Sequence, residues 1–471
     1  MVAPVLQWDV NENTSLTFDF SYLYNDPVYD DGLTALNDGS RVLPIERNLN
    51  YPSLDETYTE QIIARYRLNH RFNDDWQLRN AFSFTADLLA TGRATFGSFD
   101  LIDDRFLQRA LTADERYLTE NYQLQTDIIG NFSTGSIDHE LTVGFDLSRY
   151  NINGEQGNSS PTALPLLDIF DPNYDVERPD LETFITYGTR LDSLGIYIQD
   201  QIDFTDNFHA LLGGRLSVVE QEDFALGFES TNQSSTAFSP NIGLVYQPIE
   251  PISLYASYAS SFNPAIGRSR DGSAFEPERG RQYEIGVKTD INENLSATLS
   301  AFDITRSNVL TTDPDDFDFR IQTAEQRSQG IELLLTGEIL PGWNVYTGYA
   351  YTDARVTEDN DIPEGDSLSG VPTNTANLWT TYEIQNGDLQ GLGFGLGLLF
   401  VGERETELPN DDFELPSYLR TDASLFYRQE NWRAAININN LFNTEYIDSG
   451  FRSSYFPGAP FNIQGTLSYT F

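Results

Sequence analysis

Apolar and polar residues alternate one by one along much of the chain. The last residues, FNIQGTLSYTF (461–471), place an apolar residue or Gly at every odd position and Asn, Gln, Thr or Ser at every even one. The same period recurs in TSLTFDFSYLY (14–24), HELTVGFDLSRY (139–150) and LGFGLGLLF (392–400). A period of two residues predicts β-strands that have one apolar face and one polar face.

We count nineteen segments of this kind. Each has about ten residues or more, which is the length a tilted strand needs to cross a bilayer. The chain has no run of about 18 apolar residues, so a transmembrane helix is excluded, whereas transmembrane strands leave no such run. The segment SLGIYIQDQIDF (193–204) departs from the pattern because it places Asp200 among the apolar positions. We expect either a β-bulge there or a position outside the lipid band.

Short and long connections alternate between these segments. The tight, polar turns lie at 11–14, 73–76, 133–136, 205–207, 248–251, 292–294, 340–343, 385–388 and 430–431. The long connections lie at about 25–57, 90–118, 151–187, 220–236, 262–280, 306–326, 355–371, 403–416 and 443–459. Outer-membrane barrels have short periplasmic turns and long extracellular loops. The sequence therefore predicts an all-β protein, an antiparallel up-and-down transmembrane β-barrel of the bacterial outer membrane.

The composition supports this interpretation and argues against some classes of function. Hydrophobic residues make up only 39% of the 471 residues, mean hydropathy is -0.40, and aromatic residues reach 13%. That apolar content is low for a soluble chain of this length with a large core. Asp and Glu number 72 against 28 Lys and Arg, a net charge of -44 that argues against nucleic-acid binding.

Few residues suggest catalysis or metal binding. The chain has no Cys, and its three histidines, His70, His139 and His209, lie near different tight turns. We interpret them as solvated or interfacial side chains, and no Ser, His and carboxylate set emerges by spacing. Three acidic stretches could bind Ca²⁺ but lack the ligand spacing of an EF-hand, and a solvated surface is the favoured interpretation. These stretches are DPDDFDF (313–319), EDNDIPEGD (358–366) and PNDDFE (409–414).

Longer segments resemble a known family. They occupy 193–217, 238–248, 254–267, 275–291, 302–314, 326–354, 370–379 and 436–447. In order and at strand positions they resemble the barrel of TonB-dependent siderophore receptors of the ferrichrome or ferric-hydroxamate type. The resemblance covers essentially the whole chain. In that family a 22-stranded barrel follows an N-terminal plug domain.

The resemblance implies an outer-membrane receptor that binds a ferric siderophore at the extracellular side and imports it to the periplasm with energy supplied by TonB. Such a protein is not an enzyme and needs no cofactor, because iron is carried as part of the substrate. The implied partners are the siderophore, the TonB system through the plug, and outer-membrane lipid and lipopolysaccharide; a monomer is expected. Residues 1–471 would form the barrel domain. We recognise no signal peptide, plug or first three strands, so about 19 of 22 strands and a truncated or split product are expected.

Two sets of inward side chains are candidates for function. In the outer half of the predicted barrel, Tyr150 ends one strand and Trp379 begins another, and both lie on polar strand positions, as do Tyr418 and Arg420. Aromatic rings can pack flat on an organic chelate and Arg can donate to its oxygens, although Tyr and Trp also form interfacial girdles. Lower down, Gln199, Glu284, Lys288 and Glu332 point inward and are expected to hydrogen-bond the plug, or to face water without it.

The residues themselves leave a second interpretation open. A passive porin-like channel, or a barrel remnant without transport, would show the same alternation and the same connections. Tyr150, Trp379, Tyr418 and Arg420 would then be interfacial or lumen residues without a ligand.

Overall fold

The computed structural model describes residues 1–28, 30–96, 101–225, 230–266, 269–270, 273–313, 319–359, 362–410 and 413–470. In chain order its strands are β1 (Val5–Asn11), β2 (Thr14–Asn25), β3 (Leu33–Thr34), β4 (Tyr58–Arg71), β5 (Trp76–Phe96), β6 (Phe106–Leu107), β7 (Arg109–Thr134), β8 (Ile137–Asn158), β9 (Leu167–Asp168), β10 (Thr183–Thr205), β11 (Phe208–Ala225), β12 (Thr231–Ile249), β13 (Ile252–Asn263), β14 (Glu278–Asn292), β15 (Leu295–Thr312), β16 (Arg320–Leu340), β17 (Trp343–Glu358), β18 (Asn374–Glu383), β19 (Leu392–Val401), β20 (Arg404–Glu405), β21 (Glu414–Leu415), β22 (Tyr418–Gln429), β23 (Trp432–Asn439), β24 (Ile447–Phe451), β25 (Ser454–Pro457) and β26 (Asn462–Tyr469). One 3₁₀ turn, Pro52–Leu54, lies between β3 and β4. No helix in the described part of the chain is long and apolar enough to cross a membrane.

Nineteen of these strands belong to one sheet, which confirms the number predicted from the sequence. The chain divides into two compact units: unit 1 holds 1–244, 258–280 and 308–322, and unit 2 holds 245–257, 281–307 and 323–471. In unit 1, β1, β2, β4, β5, β7, β8, β10 and β11 pair antiparallel in that order. In unit 2, β16, β17, β18, β19, β22, β23 and β26 do the same.

The two faces of this sheet have opposite exposure to solvent. On β10, Ile196 and Ile198 are 50% and 53% exposed. On the other face of the neighbouring strands, Asp146 and Ser217 are each only 8% exposed. A soluble protein shows the reverse, and a continuous exposed apolar surface marks contact with a non-aqueous partner. A lipid bilayer is the surrounding that suits such a sheet.

The polar face is packed through specific pairs. Arg215 donates from both terminal nitrogens to Asp146, at 2.5 and 2.9 Å, and the Tyr197 hydroxyl donates to Asp127. Gly144 makes room for the second pair, because a Cβ built there would lie 2.5 Å from the Asp127 Oδ1 atom and 2.7 Å from the Tyr197 ring. Half-buried charges are thus neutralised within the face, as the cost of burying an unpaired charge requires.

Asp200 lies on the apolar face without a bulge. The pairing of β10 with β8 is continuous from Ser193 to Asp203, so of the two alternatives the bulge is wrong, and a position outside the lipid band stays a prediction. The Asp200 carboxylate instead lies 2.8 Å from Nδ1 of His139, whose ring stacks on Phe132 at 4.7 Å. Pairing with an imidazole close to the tight turn at 135–136 reduces the cost of a carboxylate on this face.

The strands extend farther into the long connections than the sequence suggests. The predicted connection at 90–118 is largely strand, because β5 runs to Phe96 and β7 begins at Arg109. Likewise β8 continues to Asn158, eight residues past Tyr150. A strand can continue beyond the lipid band through a sequence rich in turn residues. It does so as long as the neighbouring strand still pairs with its backbone N–H and C=O groups.

The outer connections of unit 1 pack on one another around a small apolar core. Leu33, Leu49, Tyr51, Leu107, Leu167 and Ile169 are each at most 2% exposed. The short strands β6 and β9 pair there, and Arg105 donates to Asp168 at 2.8 and 2.6 Å. This bond holds the pKa of the Asp168 carboxyl below its ordinary value, and burial raises the pKa of the Tyr51 phenol. These connections are therefore folded segments rather than extended loops.

Candidate ligand-binding site

The start of β22 carries a group of aromatic and guanidinium side chains in mutual contact. Tyr418 is the first residue of β22, and its ring lies 4.4 Å from the ring of Tyr446, which comes from the connection after β23. The guanidinium carbon of Arg404, on β20, lies 5.6 Å from the Tyr418 ring centre. Arg420, two residues along β22, donates to the Tyr446 hydroxyl at 3.4 Å. We call these four residues the Tyr–Arg cluster.

Arg420 is held in place but keeps donor capacity. It donates to Asp422 at 3.0 Å, and the backbone N–H of Asn440 donates to the other oxygen of that carboxylate at 2.8 Å. The 3.4 Å bond to Tyr446 is long, hence weak. The Nε–H of Arg420 is buried and has no acceptor among the described residues, whereas the side chain as a whole is 30% exposed. A guanidinium has five N–H donors, of which Arg420 uses two, so it can donate to a further oxygen.

Arg404 orders the connection around the cluster. It is 7% exposed and donates to the carbonyl oxygens of Asp448 and Ile447 at 2.7 and 2.9 Å. Its position over the Tyr418 ring gives a cation–π contact, which is strongest when water is excluded. Arg404 therefore fixes the orientation of Tyr418.

Trp379 lies on the same polar face, deeper than the sequence suggests. It is the sixth residue of β18, not near its start, and it pairs with Tyr346 on β17 and Gly397 on β19. A Cβ built on Gly397 would lie 2.8 Å from the indole, so the ring lies over that glycine. Gly397 in turn pairs with Asp422, the partner of Arg420. One strand, β19, thus lies between Trp379 and the Tyr–Arg cluster.

Tyr150 lies in unit 1 within a different aromatic group. It is not at the end of β8, as the sequence suggests, but in the middle of that strand, where it pairs with Leu191. The phenols of Tyr150 and Tyr117 lie close enough to interact electrostatically, and so do those of Tyr117 and Tyr187. The Tyr187 ring lies over Gly154, where a Cβ would come within 2.2 Å of it.

Sequence reasoning missed four of these residues. Tyr446 and Arg404 lie in the long connections, and only the folded chain brings them to Tyr418. Tyr117 and Tyr187 lie in stretches that the sequence assigns to long connections. Both pair with Gly154, and the period of two continues from Tyr150 to Gly154, so it would have placed them on the polar face.

The residues expected to face a plug lie on the polar face. Gln199 pairs with Gly213, and Glu284 accepts a 2.7 Å hydrogen bond from the Tyr255 hydroxyl. Lys288 follows Glu284 at an interval of four residues on β14, and Glu332 lies between the exposed apolar residues Ile331 and Leu333.

The histidines take separate partners. His70 lies 2.9 Å from the Thr14 hydroxyl, His139 pairs with Asp200, and His209 lies 2.5 Å from Asp203. Within the described ranges, no three His, Asp or Glu side chains are grouped as metal ligands would be. Each acidic stretch named above includes residues outside those ranges, namely 314–318, 360–361 and 411–412.

This arrangement provides flat aromatic surfaces and oriented donors on a polar wall, which is the chemistry of a binding surface. A family model of the TonB dependent receptor-like β-barrel matches residues 7–441, and the chain belongs to this family. Its members are outer-membrane proteins of Gram-negative bacteria that act as receptors and transporters, not as enzymes, and carry no cofactor.

Similar proteins are siderophore or metal receptors. The chain is 32% identical to the metal-pseudopaline receptor CntO of Pseudomonas aeruginosa, over 100% of this chain and 68% of the relative. It is 27% identical to the ferrichrome outer membrane transporter/phage receptor of Escherichia coli, over 100% of this chain and 67% of the relative. The crystal structure of the siderophore receptor PiuA from Acinetobacter baumannii shares the fold, with a TM-score of 0.86 and 22% identity, over 99% of this chain and 73% of that one.

Proposed function

We propose that this chain binds a metal chelate of the ferric siderophore class on its polar face, and that the chelate enters the periplasm with energy supplied by TonB. The Tyr–Arg cluster is the observation that carries this proposal. It sets an arginine with unused donors beside two phenol rings in tilted contact, in a chain whose net charge is -44. The names of the similar receptors, for metal-pseudopaline, ferrichrome and ferrioxamine B, support the same class of ligand.

Each residue of the site has a distinct role in this proposal. Arg420 donates to the carbonyl, hydroxamate or carboxylate oxygens of the chelate, since a guanidinium matches such oxygens in a fixed geometry. Tyr418 and Tyr446 supply the flat surface on which the organic part packs. Trp379 contacts ligand deeper along the polar face of unit 2. Tyr150, with Tyr117 and Tyr187, is a separate candidate aromatic surface within unit 1.

The lower polar residues have a different role. Gln199, Glu284, Lys288 and Glu332 contact a plug domain in the family arrangement, and TonB acts through that plug. The Tyr255–Glu284 bond of 2.7 Å orients one of these carboxylates toward the space the polar face borders. Movement of the plug would then break contacts on this wall without changing the Tyr–Arg cluster.

A fluorescence titration tests the proposal. The purified chain in detergent is titrated with ferrichrome, ferrioxamine B and metal-loaded pseudopaline, and tryptophan quenching is recorded. We expect saturable quenching by at least one chelate, and a loss of about tenfold or more in its affinity in Arg420→Gln, because a hydrogen bond to a charged group contributes about 1.5–3 kcal/mol.

Arg428→Gln is the matched control. Arg428 lies on the same face of β22 near its other end, with its guanidinium 3.8 Å from Glu383, so the same charge is removed away from the site. The affinity of the Arg428→Gln chain for the chelate should equal that of the wild-type chain. Equal affinities of Arg420→Gln and wild type would refute the site, and no saturable binding of any chelate would refute the function.

A further inference from the structure

The turn that follows β23 is fastened by one buried side chain. Asn440 comes directly after β23 and is 1% exposed. Its side-chain oxygen accepts a 2.7 Å hydrogen bond from the backbone N–H of Thr444, and its amide group donates to the carbonyl oxygens of Thr444 and Ala459 at 2.8 and 3.1 Å. Because a buried polar atom that loses its partner is costly, this fully bonded amide holds the three residues together.

The backbone of Asn440 connects the same turn to β22. Its φ is 52°, in the left-handed region that Asn adopts more readily than most residues. In this conformation its N–H donates to Asp422 at 2.8 Å, and the N–H of Leu441 donates to the carbonyl oxygen of Thr421 at 2.6 Å. The other oxygen of Asp422 accepts the 3.0 Å bond from Arg420. The turn therefore orients the carboxylate that orients Arg420.

Tyr446 is held between two segments that Asn440 joins. It follows closely after Thr444 and is 9% exposed. Its carbonyl oxygen accepts a 2.8 Å bond from the N–H of Gly458, which precedes Ala459. The phenol ring lies over that glycine, because a Cβ built on Gly458 would come within 2.0 Å of the ring. The ring can take this position only while the segments 444–446 and 458–459 stay together.

We propose that Asn440 is the positioning residue of the Tyr–Arg cluster. Its backbone sets Arg420 through Asp422, and its side chain sets Tyr446 through the turn. Asn440 is too buried to touch a ligand, so its effect on the chelate passes through those two residues. This inference rests on the proposed binding of a chelate by the cluster. A role in folding alone would lower the stability of the chain but would leave the Tyr446 ring in place in every variant that folds.

Two replacements of Asn440 test the inference. Asn440→Gly keeps the left-handed backbone and the N–H to Asp422, but it removes the side-chain amide. Asn440→Asp keeps the volume and the acceptor for Thr444, but it sets a carboxylate oxygen against two carbonyl oxygens. Ferrichrome, ferrioxamine B and metal-loaded pseudopaline serve as the probes. Each chelate that saturates the wild-type chain should bind either variant about tenfold more weakly, because Tyr446 moves away from Arg420. Heat-modifiable mobility in gels verifies that each variant folds.

A fluorine label reports the position of the ring without any ligand. Fluorotyrosine is placed at position 446 alone, and its fluorine NMR signal is recorded from the chain in detergent. The neighbouring Tyr418 ring, 4.4 Å away, shifts this signal, so movement of the labelled ring changes it. The signal should move in Asn440→Gly and Asn440→Asp. It should also move in Gly458→Ala, which displaces the same ring from its other side and leaves Asn440 unchanged.

Asn308→Gly is the matched control. Asn308 also has a left-handed backbone, with a φ of 59°, and its amide donates to the carbonyl oxygen of Pro277 at 3.0 Å, but it lies in unit 1, outside the cluster. This variant should leave both the signal and the affinity unchanged. An unmoved signal in the folded Asn440 variants, or wild-type affinity in variants whose signal has moved, would overturn the inference.

Failure of the wild-type chain to bind any of the three chelates would instead refute the proposed function. The fluorine signal would still decide whether Asn440 positions Tyr446, since it is read without a ligand. The two failures are therefore distinguishable.

Discussion

The two faces of the sheet are built from the same strands but are stabilised in different ways. In the lipid band, the apolar face presents exposed side chains such as Ile196 and Ile198, which require only a hydrocarbon surrounding. The polar face depends on particular pairs, such as Arg215 with Asp146 and Tyr197 with Asp127. The apolar face therefore sets where the chain resides, whereas the polar face sets what it can bind.

Charge on the apolar face should have the largest effect. Ile198→Arg places a guanidinium in the lipid band and should destabilise the folded chain by about 2–4 kcal/mol. Gln199→Arg, one residue along β10, places the same group on the polar face and should cost much less. Urea unfolding from lipid vesicles measures both, and equal losses in the two variants would remove the distinction between the faces.

An added methyl group on the polar face should have a smaller effect. Gly144→Ala puts a Cβ 2.5 Å from Asp127 and displaces the Tyr197–Asp127 bond, which should cost about 1–2 kcal/mol. Gly213→Ala is the matched control, because its Cβ would meet nothing closer than 3.6 Å. Both are measured by the same unfolding assay. A Gly144→Ala chain as stable as Gly213→Ala would show that the polar face is loosely packed.

The sequence predicted the strands and faces better than the contacts of the long connections. Alternation places Tyr418 and Arg420 on one face of β22, because neighbouring side chains in a strand point in opposite directions. No such rule brings Tyr446 to Tyr418, since loop folding depends on contacts distant in sequence. For Asp200 the sequence leaves open a bulge or a position outside the lipid band, because its partner, His139, lies on another strand. Face assignment is therefore a local property of the sequence, and partner assignment is not.

The smallest effect is expected in the outer connections of unit 1. The pKa of Asp168 lies below its ordinary value because Arg105 binds the carboxylate. The Arg105–Asp168 pair therefore stabilises the folded connections at neutral pH. This stabilisation is lost as pH falls through the lowered pKa of Asp168. Both groups are at the surface, so the contribution is small.

Limited proteolysis between pH 6 and pH 3 with an acid-active protease checks this expectation. Cleavage within 101–108 and 159–182 should rise at the acid end in the wild-type chain. Asp168→Asn should show a modestly raised rate already at pH 6 and a weaker dependence on pH. The same pH profile in both chains would mean that this pair does not hold the connections together.

The opposition of the two faces is tested most directly by the surroundings of successive β10 residues. The chain has no native Cys, so single Cys at positions 196, 198, 199 and 201 can each carry a spin label in lipid vesicles. Labels replacing Ile196 and Ile198 should collide mainly with oxygen, which concentrates in lipid, and labels replacing Gln199 and Gln201 mainly with a water-soluble nickel chelate. Equal access to both reagents at all four positions, or the reverse alternation, would contradict the account.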